Sequence, residues 1–199
     1  MDTDLARERI LDAAEDLFYA RGIQAVGMDA IRNASGATLR RLYQLFPSKG
    51  DLVEAYLARR DARWLRSLVT HVEVAAETPR ERLLAAFDWL EDWFAQPDFH
   101  GCAFINSFGE LGGTSPEVVA AARHHKDAFH TYLRELTTAA GATADTGTQI
   151  ALLAEGAMTT AAISGTPAAA RQAKQAAQLL LTLGTRHVNT DLPLVAGES

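Results

Sequence analysis

Residues 34–49 read ASGATLRRLYQLFPSK, and this stretch carries the most specific structural signal in the chain. Its first four residues have the length and composition of a tight turn between two helices. Thr38 is suited to cap a short helix over residues 39–46, because its hydroxyl can accept a hydrogen bond from a free backbone amide. Pro47 ends that helix, since proline disfavours the helical conformation in the residue before it. The stretch therefore predicts a helix-turn-helix.

The charge around this stretch differs from that of the whole chain. The 199 residues carry 19 lysines and arginines against 25 aspartates and glutamates, a net charge of -6. This balance argues against a protein that coats nucleic acid over its whole surface. Residues 1–50 are neutral, with seven charges of each sign, and residues 30–50 hold four bases and no acid. The acid-free segment indicates an anionic partner.

The second helix of a helix-turn-helix enters the major groove of DNA with its N-terminal half. Arg40 and Arg41 can offer paired donors to guanine from that position. The predicted DNA-binding residues, which include phosphate contacts, are Arg32, Thr38, Leu39, Arg40, Arg41, Tyr43, Gln44 and Lys49. Leu42 and Phe46 lie four residues apart on the opposite side of the helix, and we expect both to enter the core.

Helical patterning extends over the rest of the chain. Apolar residues recur three and four apart almost everywhere, and no stretch longer than residues 71–75 alternates as a half-buried strand does. A cap followed by proline opens a helix at Thr78 and again at Ser115. Gly165 and Gly184 are predicted to end the last two helices. The predicted fold class is therefore all-α, with about nine helices, and the helix-turn-helix is continuous with the helices that follow it.

Several classes of protein are excluded by composition. A single cysteine, Cys102, permits no disulfide within the chain and no zinc site built from cysteine pairs. The longest uncharged stretch, residues 156–170, is too short and too polar to span a membrane, and the first residues are too acidic for an export signal. We therefore expect a cytoplasmic protein that contacts no membrane and holds no metal or cofactor.

Residues 10–52 resemble the DNA-binding domain of the TetR/AcrR family of transcriptional regulators. The resemblance is carried by ILDAA at 10–14, LF at 17–18, Gly22, Ile31, SGAT at 35–38 and LYQLFPSK at 42–49. It implies an Ω-shaped homodimer whose C-terminal domain binds a small molecule and releases DNA. By position, it also implies phosphate contacts from Tyr43 and Lys49.

The sequence departs from the family pattern at three positions. Gly27, Leu45 and Gly50 stand where the family often has a threonine, a histidine and a glutamate. The first two changes remove possible contacts to the DNA backbone, so Arg32 or Arg41 is expected to compensate. The sequence leaves open which of the two arginines does so.

Past Lys49 the resemblance is looser, but residues 99–106, FHGCAFIN, look like the stretch before the sixth helix in one branch of the family. In those members this helix borders the ligand cavity. The predicted lining for an apolar or amphipathic effector is Trp64, Phe87, Leu90, Trp93, Phe94, Phe104, Phe108 and Met158, with Asn106, Glu110, His130 and Thr159 as polar anchors. A plain hydrophobic core produces the same aromatic spacing.

The last two helices carry small residues, which implies close helix approach. In this family the final helix pair of each subunit builds the dimer interface. The predicted interface residues are Ile150, Leu153, Ala157, Ala161, Ala173, Ala177, Leu180 and Leu181. The resulting division is a DNA-binding domain over residues 1–50 and a ligand-binding and dimerisation domain over residues 51–199.

The leading prediction is a DNA-binding repressor, not an enzyme, that leaves a near-palindromic double-stranded operator when a small molecule binds. Two alternatives remain open at this point. One is a helical enzyme that uses Cys102, with His100 two residues before it. The other is a helical adaptor that binds only protein. His124 and His125 are about 100° apart on a helix, so they cannot share a metal, and both are predicted to lie on the surface.

Overall fold

The computed structural model describes residues 3–190, with side chains described as far as residue 184. These residues form nine helices and no strand. The helices are α1 (Thr3–Arg21), α2 (Met28–Ser35), α3 (Leu39–Leu45), α4 (Lys49–Ala75), α5 (Pro79–Phe94), α6 (Ala103–Leu111), α7 (Pro116–Ala139), α8 (Ala144–Ser164) and α9 (Ala168–Thr190). The predicted all-α class is therefore confirmed, and none of these helices is long and apolar enough to cross a membrane.

Local hydrogen bonds explain why several helices begin where they do. Before α5, the Thr78 side chain accepts a hydrogen bond from the backbone N–H of Glu81, whose carboxylate accepts one from the N–H of Thr78. Before α4, the N–H of Ser48 donates to Oδ2 of Asp51 at 2.8 Å, and the N–H of Asp51 donates to Oγ of Ser48 at 3.1 Å. Each pair satisfies two amides that a helix N-terminus otherwise leaves unpaired.

The end of α9 differs from the prediction. The helix continues through Gly184 to Thr190, so Gly184 is not a stop signal. A Cβ at this position would lie 2.7 Å from Oγ1 of Thr146 on α8. Glycine is therefore required for the close approach of the two helices, although it weakens a helix interior by roughly 0.5–1 kcal/mol relative to alanine. The coil predicted after His187 is wrong as far as Thr190, which still belongs to α9, and the rest of it lies outside the described residues.

The chain forms two compact units. The first contains the described residues as far as Arg66 together with Pro97–Asp127, and therefore holds α1, α2, α3 and α6. The second contains Ser67–Gln96 and the described residues from Ala128 onward, and here α9 packs against α5 and α8. The predicted division at residue 50 separates a DNA-binding domain from a ligand-binding and dimerisation domain. It concerns function, and it stays a prediction.

Within the first unit, ion pairs hold α1 against α4. The carboxylate of Glu15, only 8% exposed, accepts hydrogen bonds from Arg59 at 2.9 Å and Arg60 at 3.1 Å, and it also pairs with Arg63. Arg59 donates in addition to Asp12 at 2.8 Å. A carboxylate this buried is tolerated only when it is paired and hydrogen-bonded. The network therefore fixes α1 relative to the first half of α4.

Candidate DNA-binding surface and ligand groove

The turn between α2 and α3 is held by hydrogen bonds from its own residues. Gly36 follows α2 with a φ of 66°, a left-handed conformation that glycine adopts readily. Oγ of Ser35 accepts a hydrogen bond from the N–H of Ala37 at 3.3 Å, and Oγ1 of Thr38 accepts one from the N–H of Arg41 at 3.2 Å. These bonds fix the direction in which α3 leaves the turn and confirm the predicted cap, Thr38.

The helix α3 has one buried and one exposed face. Leu42 and Phe46 are buried, as their spacing predicts. The opposite side is exposed at four of the predicted DNA-contacting residues, namely Leu39, Arg40, Tyr43 and Gln44. This face therefore presents apolar, cationic, phenolic and amide groups together.

The two arginines of α3 have different surroundings. Arg41 is half-buried, and its Nη2 donates a hydrogen bond to Oγ1 of Thr3 on α1 at 2.7 Å. Arg40 is exposed, and no hydrogen bond, ion pair or ring contact joins its side chain to another described residue. Arg40 is therefore available to an external partner, whereas Arg41 already holds the start of α1.

Two further predicted contacts lie beside α3. The guanidinium of Arg32 lies 3.5 Å from the carboxylate of Asp29 and donates to Oδ1 of Asn33 at 2.9 Å. Lys49 is half-buried as the first residue of α4 and forms no ion pair with any described residue. The charge of Arg32 is thus partly compensated within the chain, and that of Lys49 is not.

The sequence analysis missed two arginines that lie near the turn. Cζ of Arg7 lies 4.8 Å from the ring centroid of Phe46, and a Cβ on Gly36 would be 3.4 Å from Nη2 of Arg9. Both belong to α1, where Glu8 and other acids alternate with them and hide their positive charge in any local count. Only their packing against the helix-turn-helix shows that these two arginines lie near the turn.

The residues predicted to bind a ligand are divided between the two units. Trp64, Phe104, Asn106, Phe108 and Glu110 belong to the first unit, and Phe87, Leu90, Trp93, Phe94, His130, Met158 and Thr159 belong to the second. In the second unit the apolar members are buried. The two polar anchors there already have partners, because Nε2 of His130 lies 3.1 Å from Oε1 of Glu155 and Thr159 donates to the backbone oxygen of Glu155 at 3.3 Å.

In the first unit, Phe104 and Trp64 surround a buried histidine. The ring of His125 stacks on Phe104 with centroids 3.8 Å apart, and Trp64 meets it edge-on at 4.9 Å. Nδ1 of His125 lies 2.7 Å from Oδ1 of Asp61. His125 is only 2% exposed, so its predicted surface position is wrong, while His124 is exposed as predicted. Adjacent helical residues point about 100° apart, which is why only one of them enters the core.

The other residues of α6 that were predicted to bind a ligand are the polar anchors Asn106 and Glu110 and the lining residue Phe108. Asn106 donates a hydrogen bond to the backbone oxygen of His100 at 2.9 Å, and Phe108 is 51% exposed. The Glu110 carboxylate accepts hydrogen bonds from the N–H groups of Ile23 at 3.0 Å and Gln24 at 2.8 Å. The C-terminal part of α6 is therefore attached to the loop that follows α1.

The N-terminal end of α6 is attached to α1 as well. The Tyr19 hydroxyl donates to the backbone oxygen of Gly101 at 2.7 Å and accepts from the N–H of His100 at 3.0 Å. Burial raises the pKa of Tyr19 above its usual value, so the phenol remains a neutral donor at physiological pH. Together with the contacts of Glu110, these bonds attach both ends of α6 to α1 and to the loop that follows it.

A groove of about 470 Å³ lies between α4 and α7 inside the first unit. Its lining is Glu54, Leu57, Ala58 and Asp61 from α4, Glu117, Ala120, Ala121 and His124 from α7, and Phe104 from α6. The volume falls in the range of small-molecule sites, which is about 300–1,000 Å³. Of the residues predicted to bind a ligand, Phe104 lines this groove.

The predicted dimer interface stays a prediction, but six of its eight residues are enclosed by their own chain. Ile150, Ala157, Ala161, Ala173, Ala177 and Leu181 are buried within the chain itself, and Leu153 and Leu180 are half-buried. The small faces of α8 and α9 are used for packing inside the second unit, so they are not available to a partner. The exposed apolar residues are instead Leu152 (62%) and Ile163 (83%) on α8, and Leu179 (68%) and Leu183 (59%) on α9.

Other chemistries find little support in the described part of the chain. It contains no group of three or more histidine, cysteine or acidic side chains placed to hold a metal ion. Cys102 is buried, and Nζ of Lys126 lies 3.4 Å from its Sγ. The thiol is therefore not presented to a substrate.

Comparison with known proteins identifies relatives of the helix-turn-helix segment. Residues 10–56 match the family described as bacterial regulatory proteins, tetR family. A helix-turn-helix transcriptional regulator of Mycobacterium tuberculosis is 40% identical over 84 residues, which are 42% of this chain and 41% of the relative. The transcriptional activator FasR of Mycolicibacterium smegmatis is 37% identical over 120 residues, 59% of this chain and 52% of FasR. The chain thus spans about half of these relatives, or less.

Solved structures resemble a larger part of the chain. A TetR-family transcriptional regulator from Streptomyces coelicolor superposes with a TM-score of 0.84 at 29% identity and covers 92% of this chain and 97% of its own. A tetR transcriptional regulator from Streptomyces avermitilis gives a TM-score of 0.72 at 28% identity, over 87% of this chain and 98% of its own. The similarity therefore extends over nearly all of the helices, beyond the helix-turn-helix.

Proposed function

We propose, because this chain belongs to the TetR family of transcriptional regulators, that it is a ligand-responsive repressor which binds operator DNA as a homodimer. The observation that carries the proposal is the exposed face of α3, which lies in the matched segment and presents an unpaired Arg40. A regulator of this kind acts where the chromosome is, and we place it in the bacterial cytoplasm.

The side chains of α3 suit distinct parts of the DNA. The free guanidinium of Arg40 can donate two hydrogen bonds to O6 and N7 of guanine in the major groove. Leu39 offers an apolar surface to a thymine methyl group, and Gln44 offers an amide to a base edge. Tyr43 and Lys49 supply donors for phosphate oxygens, as Thr38 does at the start of the helix. Arg40 therefore reads the bases, and Lys49 binds the phosphate backbone of the DNA.

The exposed leucines and isoleucine of α8 and α9 are the proposed contact between subunits. Leu152 and Ile163 are eleven residues apart, about three helical turns, so they share one face of α8. Leu179 and Leu183 are four apart and share one face of α9. Exposed apolar patches of this kind mark association surfaces. Pairing two chains supplies two recognition helices for half-sites about 34–36 Å apart, or a multiple of that distance.

The groove between α4 and α7 is the proposed effector site. It belongs to the same compact unit as α3, and Phe104 in its wall belongs to α6, which is attached to α1 through Tyr19 and Glu110. A ligand shifts a conformational equilibrium only if it binds one conformation better than the other. A molecule that fits the groove best when α4 and α7 are displaced would therefore weaken DNA binding.

The alternative functions have less support. The family consists of regulators, not enzymes, and the buried Cys102 offers no accessible nucleophile. A function as a protein-binding adaptor would not explain the exposed Arg40 or the acid-free segment around it. Activation is a specific second candidate, because the relative from Mycolicibacterium smegmatis is named an activator.

The decisive experiment is a pull-down of genomic fragments by the purified chain, followed by sequencing and by binding isotherms at several salt concentrations. We expect enrichment of a near-palindromic site and an affinity that falls as salt rises, since phosphate contacts release counterions. An adaptor would enrich no sequence. A reporter gene placed behind the enriched site separates repression from activation, because deletion of the regulator raises expression in the first case and lowers it in the second.

A further inference from the structure

We propose that Glu110 is a positioning residue for DNA binding, whose carboxylate holds the loop between α1 and α2 in the arrangement in which the helix-turn-helix fits DNA. The inference rests on the proposed function and adds to it a residue that acts without a base or phosphate contact of its own. It depends on three observations: the hydrogen bonds of Glu110, the glycine beside its carboxylate and the neighbours of the loop.

Glu110, near the end of α6, binds two successive backbone amides of that loop. Oε1 accepts a hydrogen bond from the N–H of Ile23 at 3.0 Å, and Oε2 accepts one from the N–H of Gln24 at 2.8 Å. The Gln24 side chain donates in return to the backbone oxygen of Glu110. Successive N–H groups in a turn form a concavity that favours an anion, and hydrogen bonds to a carboxylate are stronger than neutral ones. Three bonds therefore fasten residues 23 and 24 to α6.

The residue before the two amides leaves room for the carboxylate. Gly22 has a φ of 85°, and a Cβ at this position would lie 3.1 Å from each carboxylate oxygen of Glu110. A larger residue would therefore push the carboxylate away from the loop. Glu110 is half-buried and forms no ion pair with a described residue. Its negative charge is thus met by the loop amides and not by a lysine or arginine.

The loop that Glu110 holds adjoins the proposed DNA-binding surface in two ways. Along the chain, Gln24 lies four residues before Met28, the first residue of α2. In space, Ile23 and Gln24 line a cavity of about 240 Å³ together with Lys49, the proposed phosphate contact at the start of α4. A displacement of the loop therefore changes both the start of the helix-turn-helix and the surroundings of Lys49.

The negative charge of Glu110 makes the proposal easy to separate from simple electrostatics. Because DNA is a polyanion, removal of an acid from a protein that binds it strengthens binding if only the long-range field matters. If Glu110 holds the loop, its removal lowers the fraction of molecules in the DNA-binding arrangement, and the apparent affinity falls by that fraction. The two effects have opposite signs.

Glu110→Gln keeps the shape of the side chain but replaces one acceptor oxygen by an NH2 group, which cannot accept from a loop amide. We expect its affinity for the specific duplex, measured by fluorescence anisotropy, to fall about tenfold. Asp16→Asn is the matched control, because Asp16 is an exposed acid on α1 that makes no hydrogen bond or ion pair with a described residue. The control should bind DNA as tightly as the original protein or more tightly. Unchanged or tighter binding by Glu110→Gln would overturn the proposal.

Amide hydrogen exchange followed by nuclear magnetic resonance tests the same proposal without DNA. In Glu110→Gln we expect faster exchange at Ile23 and Gln24, which lose their carboxylate partner. The change should extend to Ala30 and Ile31 in the first turn of α2, whose N–H groups donate to the backbone oxygen of Gly27. Unchanged exchange at Ala30 and Ile31 would show that Glu110 stabilises only its own loop, and the proposal would then be wrong even if DNA affinity fell.

The two measurements separate this inference from the proposed function. If the original protein and Asp16→Asn bind the specific duplex and Glu110→Gln binds it equally well, the proposed function stands and the positioning role is wrong. If the original protein binds no duplex more tightly than a scrambled one, the proposed function is wrong. The exchange at Ala30 and Ile31 then still decides whether Glu110 positions the helix-turn-helix.

Discussion

Arg40 and Arg41 are adjacent on α3, yet the fold gives them different surroundings. Arg41 donates to Thr3 and so joins α3 to the start of α1. Arg40 has no such contact among the described residues and points away from the core. A side chain that is free in the unbound protein loses no internal bond when it contacts a base. At the scale of single residues, this difference is the basis of the proposal that Arg40 reads bases.

Arg40→Ala should therefore reduce sequence discrimination. A bidentate contact to guanine is worth about 1–3 kcal/mol against the wrong base, so the affinity for the specific site should fall towards that for a scrambled duplex. Fluorescence anisotropy on both duplexes measures the difference. Arg66→Ala serves as the matched control, since Arg66 is an exposed arginine on α4, about 25 Å along that helix from Lys49. If Arg40→Ala keeps its sequence discrimination, a residue other than Arg40 reads the bases.

Lys49→Ala should act differently, because an ammonium that binds phosphate carries no sequence information. We expect weaker binding to specific and scrambled duplexes alike. The slope of log affinity against log salt concentration should become shallower by about one unit. Isotherms at four or more salt concentrations provide the slopes, and identical slopes for the variant and the original protein would remove Lys49 from the phosphate contacts.

Among the helices, α5 shows how a short sequence signal produces a defined start. Thr78 and Glu81 exchange hydrogen bonds across the first turn, and Pro79 occupies a position whose missing N–H costs nothing. Hydrogen bonds from the Thr78 side chain and backbone lower the pKa of Glu81 below its usual value. The capping contribution of Glu81 is therefore linked to pH.

A carboxyl whose pKa is lowered by folding stabilises the protein fully above its unfolded pKa, and this contribution is lost as pH falls through the folded pKa. Glu81→Ala should therefore lower the thermal midpoint at pH 7. The deficit should shrink as pH falls below about 4, near and under the ordinary glutamate pKa. Melting curves followed by circular dichroism test this, with the exposed Glu77→Ala as control. A deficit that is the same at pH 3 and pH 7 would contradict the linkage.

At the scale of the whole molecule, the packing of α8 and α9 determines which surface remains for a partner. The small residues of α8 and α9 pack against each other inside the second unit, where Gly184 closely approaches Thr146. Leu152 and Ile163 on α8, with Leu179 and Leu183 on α9, are left exposed. An operator with two half-sites requires two chains, so loss of this apolar surface should affect DNA binding through assembly.

Leu152→Glu combined with Leu179→Glu should yield monomers in size-exclusion chromatography with light scattering. Both positions are exposed, so the helical circular dichroism should not change. Operator affinity should fall sharply, because only one recognition helix then binds. Val74→Glu replaces an apolar residue on α4 that is even more exposed, at 84%, and should leave the dimer intact. A double variant that stays dimeric would place the interface elsewhere.

Ala161→Asp provides a contrast that depends on the same packing. Ala161 is buried, so an aspartate there places an unpaired carboxylate in the core. We expect this variant to lose thermal stability, in contrast to the exposed substitutions, which should affect assembly alone. Differential scanning calorimetry distinguishes the two effects.

Features that depend on near neighbours along the chain can be predicted from the amino-acid sequence. The turn at Gly36, the cap at Thr38 and the capping box at Thr78 all involve atoms within about four residues of one another, so their spacing is enough to predict them. The buried positions of Leu42 and Phe46 follow from helical periodicity in the same way. These local rules also supplied the fold class and the segment that resembles the family.

Features that depend on residues distant in the chain follow from tertiary packing. Gly184 allows contact with Thr146, His125 stacks on Phe104, and Arg41 contacts Thr3. In each case the partner lies more than 20 residues away, and no periodic pattern specifies which distant atoms will be adjacent. The exposed apolar residues of α8 and α9 are likewise what remains after internal packing is complete. A small-residue face predicts close packing, but it does not say whether the partner is the same chain or another.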